Sequence, residues 1–524
     1  MRQLSLAAVL IALFPLQALA TNYPYVQGGP IITGVTASDA WVTWYTAHHE
    51  GTGTECTLEE DTPLLGDHNT DTPTLTLNTG AQFTDSNCDR THRVHITGLS
   101  ASTAYTFTLD MPWDAKGGTI AAGAFTSAPA TPDAVTFVVY GDTRNDVALG
   151  GTDTRADHQA VVDAIIANEP DAEFLVHTGD MALNITAVSG DDKGYTEFFA
   201  VERALLANHP LFVVLGNHET IDTTFYDSMF DPARFDGSSH PYYSSIDWGK
   251  VHIAMGDSFE GSPTTLGLGG LNPGVTDAQA QWFDADLQAA QAAGQTSFLA
   301  IHQGPYSHTT SSSGHGGLQD VVLKLIPSVL KYGALASFAG HDHYYQRGHE
   351  GCIDYLVLGG GGAPMYAPDD SAAGVVVGLQ TLSYMVVTVA ASGAASMVVK
   401  DVNGAQLDSF TFVTPDPNCV SDAGPDDSDA GPDDAGTSDA GDGDAGDGDA
   451  GGADAGSAQA PDGGADAGRD AGLADAGLAD GGTEQLAGSG CGCTTSNAGL
   501  IDGAALIFFL GAWRRRARGG FRLN

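Results

Sequence analysis

The stretch Ala336-Ser-Phe-Ala339-Gly340-His341-Asp342-His343 joins a short apolar run to a turn glycine and two histidines that can face one point. Four earlier runs close in the same manner. Thr136-Phe-Val-Val-Tyr140 precedes Gly141-Asp142, and Glu173-Phe-Leu-Val-His177 precedes Gly179-Asp180. Leu211-Phe-Val-Val-Leu215 precedes Gly216-Asn217-His218-Glu219, and Ser297-Phe-Leu-Ala-Ile301 precedes His302. Runs of this length, rich in Val, Phe and Leu, suit strands buried on both faces. Functional groups of α/β sheets gather at the carboxyl ends of such strands. Asp, Asp, Asn, His and His-x-His arriving at one edge therefore predict a two-metal site. Carboxylate, amide oxygen and imidazole are ligands for hard and borderline cations. A carboxylate can bridge two of them, the part expected of Asp180, and such a pair suits in-line displacement at phosphorus. Each motif alone is weak, because Gly-Asp is an ordinary turn. The ordered set is strong.

The chain has 524 residues, enough for two or three domains. Its 65 Asp and Glu against 20 Lys and Arg exclude nonspecific nucleic-acid binding, which needs cations to neutralise phosphates. Residues 1–20 read as a signal peptide, with Arg2, the apolar stretch from Leu4 to Leu19, and the small residues of Ala18-Leu-Ala20. Export to an oxidising compartment then suits the six cysteines. Cys56 with Cys88 is the expected first pair, stabilising by roughly 3–4 kcal/mol on the chain-entropy account. Cys352 with Cys419 is a second candidate.

Residues 21–128 read as short strands with turn signals, among them Ala40-Trp-Val-Thr-Trp-Tyr45 and His92-Arg-Val-His-Ile96, as in a small antiparallel sandwich. From 131 to 413 strands alternate with helical patterns over Asp157–Asn168, Asp277–Ala293 and Leu318–Tyr332, predicting sheets flanked by helices. His158 reads as a surface histidine at a helix start. Residues 421–482 repeat Asp-Ala-Gly and lack a core, which predicts a solvated, self-repelling linker. The segment 491–524 carries Cys491-Gly-Cys493, an apolar stretch from Ala498 to Trp513, and Arg514-Arg-Arg516. An apolar stretch followed by a basic cluster fits attachment to a membrane or cell surface.

These residues carry a resemblance. The ordered metal motifs of 131–413 resemble those of the calcineurin-like metallophosphoesterases. Leu99 and Tyr105 resemble the tyrosine corner of fibronectin type III-like domains, so the whole looks like the purple acid phosphatase group. The C-terminal pattern resembles the sorting signals of myxobacteria. The resemblance implies an α+β four-layer αββα metallophosphoesterase sandwich, preceded by an all-β fibronectin type III-like sandwich. It implies that Asp142, Asp180 and His343 hold one metal, and that Asp180, Asn217, His302 and His341 hold the other. His218 is implied as the catalytic group near the leaving alcohol. His308 and His315, in the Gly/Ser-rich loop after His302, are implied substrate contacts. The metals would be Fe, Zn or Mn, with no organic cofactor.

Two departures qualify the purple label. The tyrosine three residues after the bridging aspartate is Leu183 here, so the ferric charge-transfer colour should be missing. Arg144 stands where related enzymes place a histidine. Arg144 is expected either to bind phosphate oxygens or to pair with a neighbouring carboxylate such as Asp146. The implied activity is hydrolysis of phosphomonoesters by a metal-held hydroxide, in an exported bacterial protein that is surface-retained or secreted. The expected partner is a phosphorylated small molecule or polymer. A phosphodiesterase or nucleotidase is the alternative within enzymes. A surface adhesin or phosphate-binding module on a degraded scaffold is the alternative outside them.

Overall fold

The computed structural model describes residues 26–46, 49–51, 56–58, 73–85, 91–111, 118–131, 133–145, 152–184, 194–230, 242–260, 273–416 and 419. All of them belong to one compact unit, Met1–Gly431. The signal segment, the Asp-Ala-Gly linker, the C-terminal segment and Cys88 lie outside the described residues. Among the described residues no helix is long and apolar enough to cross a membrane.

The N-terminal part contains β1 (Val26–Thr33), β2 (Asp39–Thr46), β3 (His49–Gly51), β4 (Cys56–Leu58), β5 (Thr74–Leu77), β6 (Gln82–Thr84), β7 (Thr91–Thr97), β8 (Ala104–Met111) and β9 (Gly118–Thr126). They form sheets β1-β2-β7 and β6-β5-β8-β9, with a β3-β4 hairpin. Alternation in β7, buried at every second residue, is what one half-buried sheet face demands. The Tyr105 hydroxyl accepts from the Ser100 amide at 2.8 Å and pins the turn between β7 and β8.

The larger part begins at β10 (Val135–Tyr140). It continues through α1 (Arg155–Asn168), β11 (Phe174–His177), α2 (Tyr195–Leu206), β12 (Leu211–Val213), α3 (Thr224–Met229), β13 (Ser244–Trp248) and β14 (Val251–Gly256). Then come α4 (Asp277–Ala292), β15 (Thr296–Ile301), α5 (Gln319–Lys324), α6 (Ile326–Tyr332), β16 (Ala336–Ala339), β17 (Tyr345–Glu350) and β18 (Ile353–Leu358). The described elements end with β19 (Val375–Leu379), β20 (Ser383–Val389), β21 (Ala395–Asp401) and β22 (Gln406–Thr411). One sheet runs β12-β11-β10-β20-β21-β22 and the other β13-β14-β15-β16-β18-β17-β19.

The two sheets share one core. Phe137 stacks on Phe174 at 4.9 Å and meets Phe298 of the other sheet at 6.1 Å. The opposite face of the first sheet, through Val138, Leu175 and Val386, packs on α1 and α2. The opposite face of the second, through Ala254, Leu299 and Ile301, packs on α4 and α6. Strands covered on both sides have no solvent face, which is why their sequences are continuously apolar. Within this frame β10, β11 and β12 run parallel, as do β14, β15, β16 and β18. Their carboxyl ends bring five loops together.

The expected helix over Leu318–Tyr332 is two helices, broken at Leu325, with Pro327 at the start of the second. Proline lacks the N–H that would continue the ladder. The surface position expected for His158 is also overturned. It is 3% exposed, and its Nε2 lies 2.9 Å from Glu202 Oε1 on α2. The Cys352–Cys419 disulfide is present, with Cα atoms 6.0 Å apart.

A buried histidine between two carboxylates ties the second sheet to its helix. His252 Nδ1 lies 2.9 Å from Asp247 Oδ1, and Nε2 lies 3.0 Å from Asp286 Oδ2 on α4. Burial lowers the imidazole pKa, but the two carboxylates outweigh it and raise His252 to about 9. A raised histidine stabilises the fold fully below its unfolded value and loses that contribution as pH rises through the folded one. Thermal melts from pH 6 to 10 should show wild-type stability falling between about pH 6.5 and 9, by on the order of 2–3 kcal/mol. His252→Gln should lack that slope, and an equal slope in both proteins would refute the assignment.

Candidate metal centre

The loops that leave the parallel strands turn sharply, and the turning residues are themselves the chemical ones. Asp142, Asp180 and His341 have φ of 59°, 57° and 72°. Non-glycine residues in this region are strained, and such strain collects at functional sites. The flanking glycines admit the close approach. A β-carbon at Gly340 would run into Asp142 Oδ2, and one at Gly216 into Asp180.

Two buried groups offer ligand atoms that lie within 4.8 Å of one another: Asp180, His302 and His341, and Asp142, Asp180 and His343. Asp180 belongs to both. In the first group, His302 Nδ1 donates to the Thr178 carbonyl at 2.6 Å, which turns its Nε2 towards Asn217 Oδ1 at 3.1 Å and Asp180 Oδ1 at 3.4 Å. Burial lowers His302, yet Asp180 outweighs that and raises it to about 9. Nitrogen and oxygen lone pairs converging here fit a divalent metal in place of the proton.

The second group differs. His343 Nδ1 donates to the Pro364 carbonyl at 2.7 Å, leaving Nε2 to face Asp142 Oδ1 at 3.6 Å. Arg144 reaches the same place. Its Nε lies 3.3 Å from Asp180 Oδ2, and its Nη2 lies 3.5 Å from His343 Nε2. A guanidinium thus lies beside groups that a second metal would use.

The electrostatics follow from this geometry. Burial pushes Asp142 up to about 8, against His302 and Arg144, which favour its ionised form. Burial also opposes ionised Asp180, but His302 and His218 outweigh it and hold the carboxyl well below its usual range. Burial, with His302 for His341 and Arg144 for His343, keeps both imidazoles far below their usual pKa. Both are therefore neutral, the form that ligates metal.

Two carboxylates within the quoted motifs position the ligands. Glu219 is fully buried and accepts from the amides of Asp180 at 2.8 Å, Met181 at 3.0 Å and Gly216 at 2.9 Å. Burial and then Asp180 raise it to about 7. Asp342 accepts from the amides of His315 at 2.8 Å and Gly316 at 3.1 Å, and from Ser307 Oγ at 2.6 Å, fixing the 307–316 loop over the centre. Sequence reading gave neither a role. The available signal was an acidic residue one or two positions from a ligand, Asp342 after His341 and Glu219 after Asn217, where a second carboxylate orients the site.

The remaining expected residues divide. His218 borders the centre, with Nδ1 donating to the Leu183 carbonyl at 2.7 Å and Nε2 3.9 Å from Asp180 Oδ2. His315 stacks on His341 with centroids 4.1 Å apart, and Tyr366 stacks on His343 at 4.2 Å. His308 instead lies with Glu350, its Nε2 at 2.9 Å from Oε2. Leu183 is buried, and Asp146 lies outside the described residues.

Residues 135–345 match the family model described as calcineurin-like phosphoesterase. No curated protein matches the chain. Among solved structures, one titled "GAP50 the anchor in the inner membrane complex of Plasmodium" is 13% identical, covers 54% of this chain and 89% of its own, and has a TM-score of 0.37. A bromide derivative of BhCBM56 is 12% identical over 19% of this chain and 94% of its own, with a TM-score of 0.12. Neither likeness carries an argument about this chain.

Proposed function

Residues 135–345 being a calcineurin-like metallophosphoesterase domain, we propose that the protein is an exported, metal-dependent hydrolase of phosphomonoesters, in the manner of an acid phosphatase. The observation that carries this is Asp180, a buried carboxylate shared by two groups of potential ligands at the ends of parallel strands. When bound, a divalent metal supplies Lewis-acid stabilisation of charge developing on phosphoryl oxygens.

The chain's own residues do the rest. Asn217 and Arg144 stand beside Asp180 and His302 and orient the phosphoryl group, Arg144 with a planar fork suited to phosphate oxygens. His218 is set by the Leu183 carbonyl at 2.7 Å, with its Nε2 3.9 Å from Asp180 Oδ2. From there it gives a proton to the departing alcohol oxygen. His315, stacked on His341, forms one wall for the leaving group.

We read the two sheets and their helices as the four-layer αββα arrangement, and the N-terminal sheets as a fibronectin type III-like sandwich. The signal-like and sorting-like segments support a reading of export and retention at the outer surface, with phosphorylated small molecules or polymers as substrates.

The full chain, stripped and reloaded with Mn2+ or Zn2+, should hydrolyse nitrophenyl phosphate at least about tenfold faster than bis-nitrophenyl phosphate, a difference of about 1.4 kcal/mol in the barrier. Chelation should return the rate to background. A faster diester rate would favour the phosphodiesterase reading. Inactivity on both esters with every metal would remove the enzyme reading.

A further inference from the structure

The position of Arg144 divides the centre into unequal halves. Its backbone is fixed: the amides of Thr143 and Arg144 donate to the Asp180 carbonyl at 3.1 and 3.2 Å. Its side chain is 8% exposed, with Nε on Asp180 Oδ2 at 3.3 Å and Nη2 on His343 Nε2 at 3.5 Å. Asp180 and His343, with Asp142, make up the second group. A metal there must approach each of them to about 2.0–2.2 Å. It would then meet a guanidinium that donates to His343 Nε2 and lies in ion-pair contact with Asp180 Oδ2.

Arginine cannot relieve the conflict by losing a proton, since its pKa stays above about 12. A divalent ion beside it would face repulsion at short range in a buried site. The other half has no such conflict. There the His302, Asn217 and Asp180 lone pairs converge at 3.1 to 3.4 Å, on the side of Asp180 that bears Oδ1.

We propose that this is a one-metal centre in which the Arg144 guanidinium stands in the place of the second metal. One cation is held by Asp180, Asn217, His302 and His341. Asp142 and His343 anchor the fixed charge rather than a second ion. The arginine brings one positive charge instead of two, together with directed N–H donors for a phosphoryl group.

The inference rests on the metal-dependent reading above, and one experiment separates their fates. The full chain is stripped of metal, dialysed against Mn2+, and assayed for bound manganese and by electron paramagnetic resonance. Wild type should hold about one tight equivalent with the spectrum of an isolated ion, and Arg144→His about two, spin-coupled as expected for ions about 3.5–4 Å apart. Arg144→Ala, which opens the same space without adding a ligand, should also take up a second, weaker equivalent. Two tight, coupled equivalents in wild type would overturn the inference and leave the phosphoesterase reading intact. So would a folded Arg144→His and Arg144→Ala pair that each still hold only one. No manganese on wild type would sink both readings.

Discussion

Asp180→Asn should leave the protein folded and remove its turnover. The side chain keeps its size, but the amide has lost the charge that both ligand groups share. It also loses the ionised partner of Arg144 at 3.3 Å and of His302 at 3.4 Å. Changing a group one shell further from a metal costs about 10–100-fold, so a residue common to both groups should cost more than about 100-fold in kcat/KM. Bound metal should fall in parallel, measured on the same samples, while circular dichroism stays that of the wild type. Retention of full turnover would show that Asp180 is not at the centre of the chemistry.

Glu219→Ala should act on stability first. Three buried amides, those of Asp180, Met181 and Gly216, end on this one carboxylate. An orphaned buried N–H costs about 1–3 kcal/mol, and partial access of water at the site edge softens the total to roughly 3–6 kcal/mol. Denaturant melts would show it as a lowered midpoint with an unchanged slope. Glu219→Gln keeps one carbonyl oxygen for these amides and should fall between the two. An alanine variant as stable as wild type would mean that the loops after β11 and β12 hold each other without Glu219.

Much of the centre was legible because its strands are buried on both faces. The apolar runs ending at Tyr140, His177, Ile301 and Ala339 became β10, β11, β15 and β16, and the residues beyond them converged as the spacing implied. Legibility failed where a partner comes from far along the chain. His158 is buried because Glu202, 44 residues away on another helix, satisfies it. His308 lies in the expected loop but answers to Glu350 on β17, a polar strand whose sequence Tyr-Gln-Arg-Gly-His-Glu shows no apolar run. For Arg144 the sequence left phosphate and a neighbouring carboxylate as options. The contact with Asp180 needs the β10 and β11 loops side by side, which only tertiary structure supplies.

The left-handed backbone at Asp142, Asp180 and His341 bears on how the protein lives without its metal. Strain there is already met by the surrounding fold, so ion uptake need not reorganise the chain. Emptying and refilling the centre should be reversible exchange rather than unfolding and refolding. An ion present at a hundred times its dissociation constant would then add about 2.7 kcal/mol to the folded state. The same backbone would sit more easily with glycine or asparagine at 142 and 180. Aspartate at these positions trades intrinsic stability for charge, and the ion returns part of what was traded.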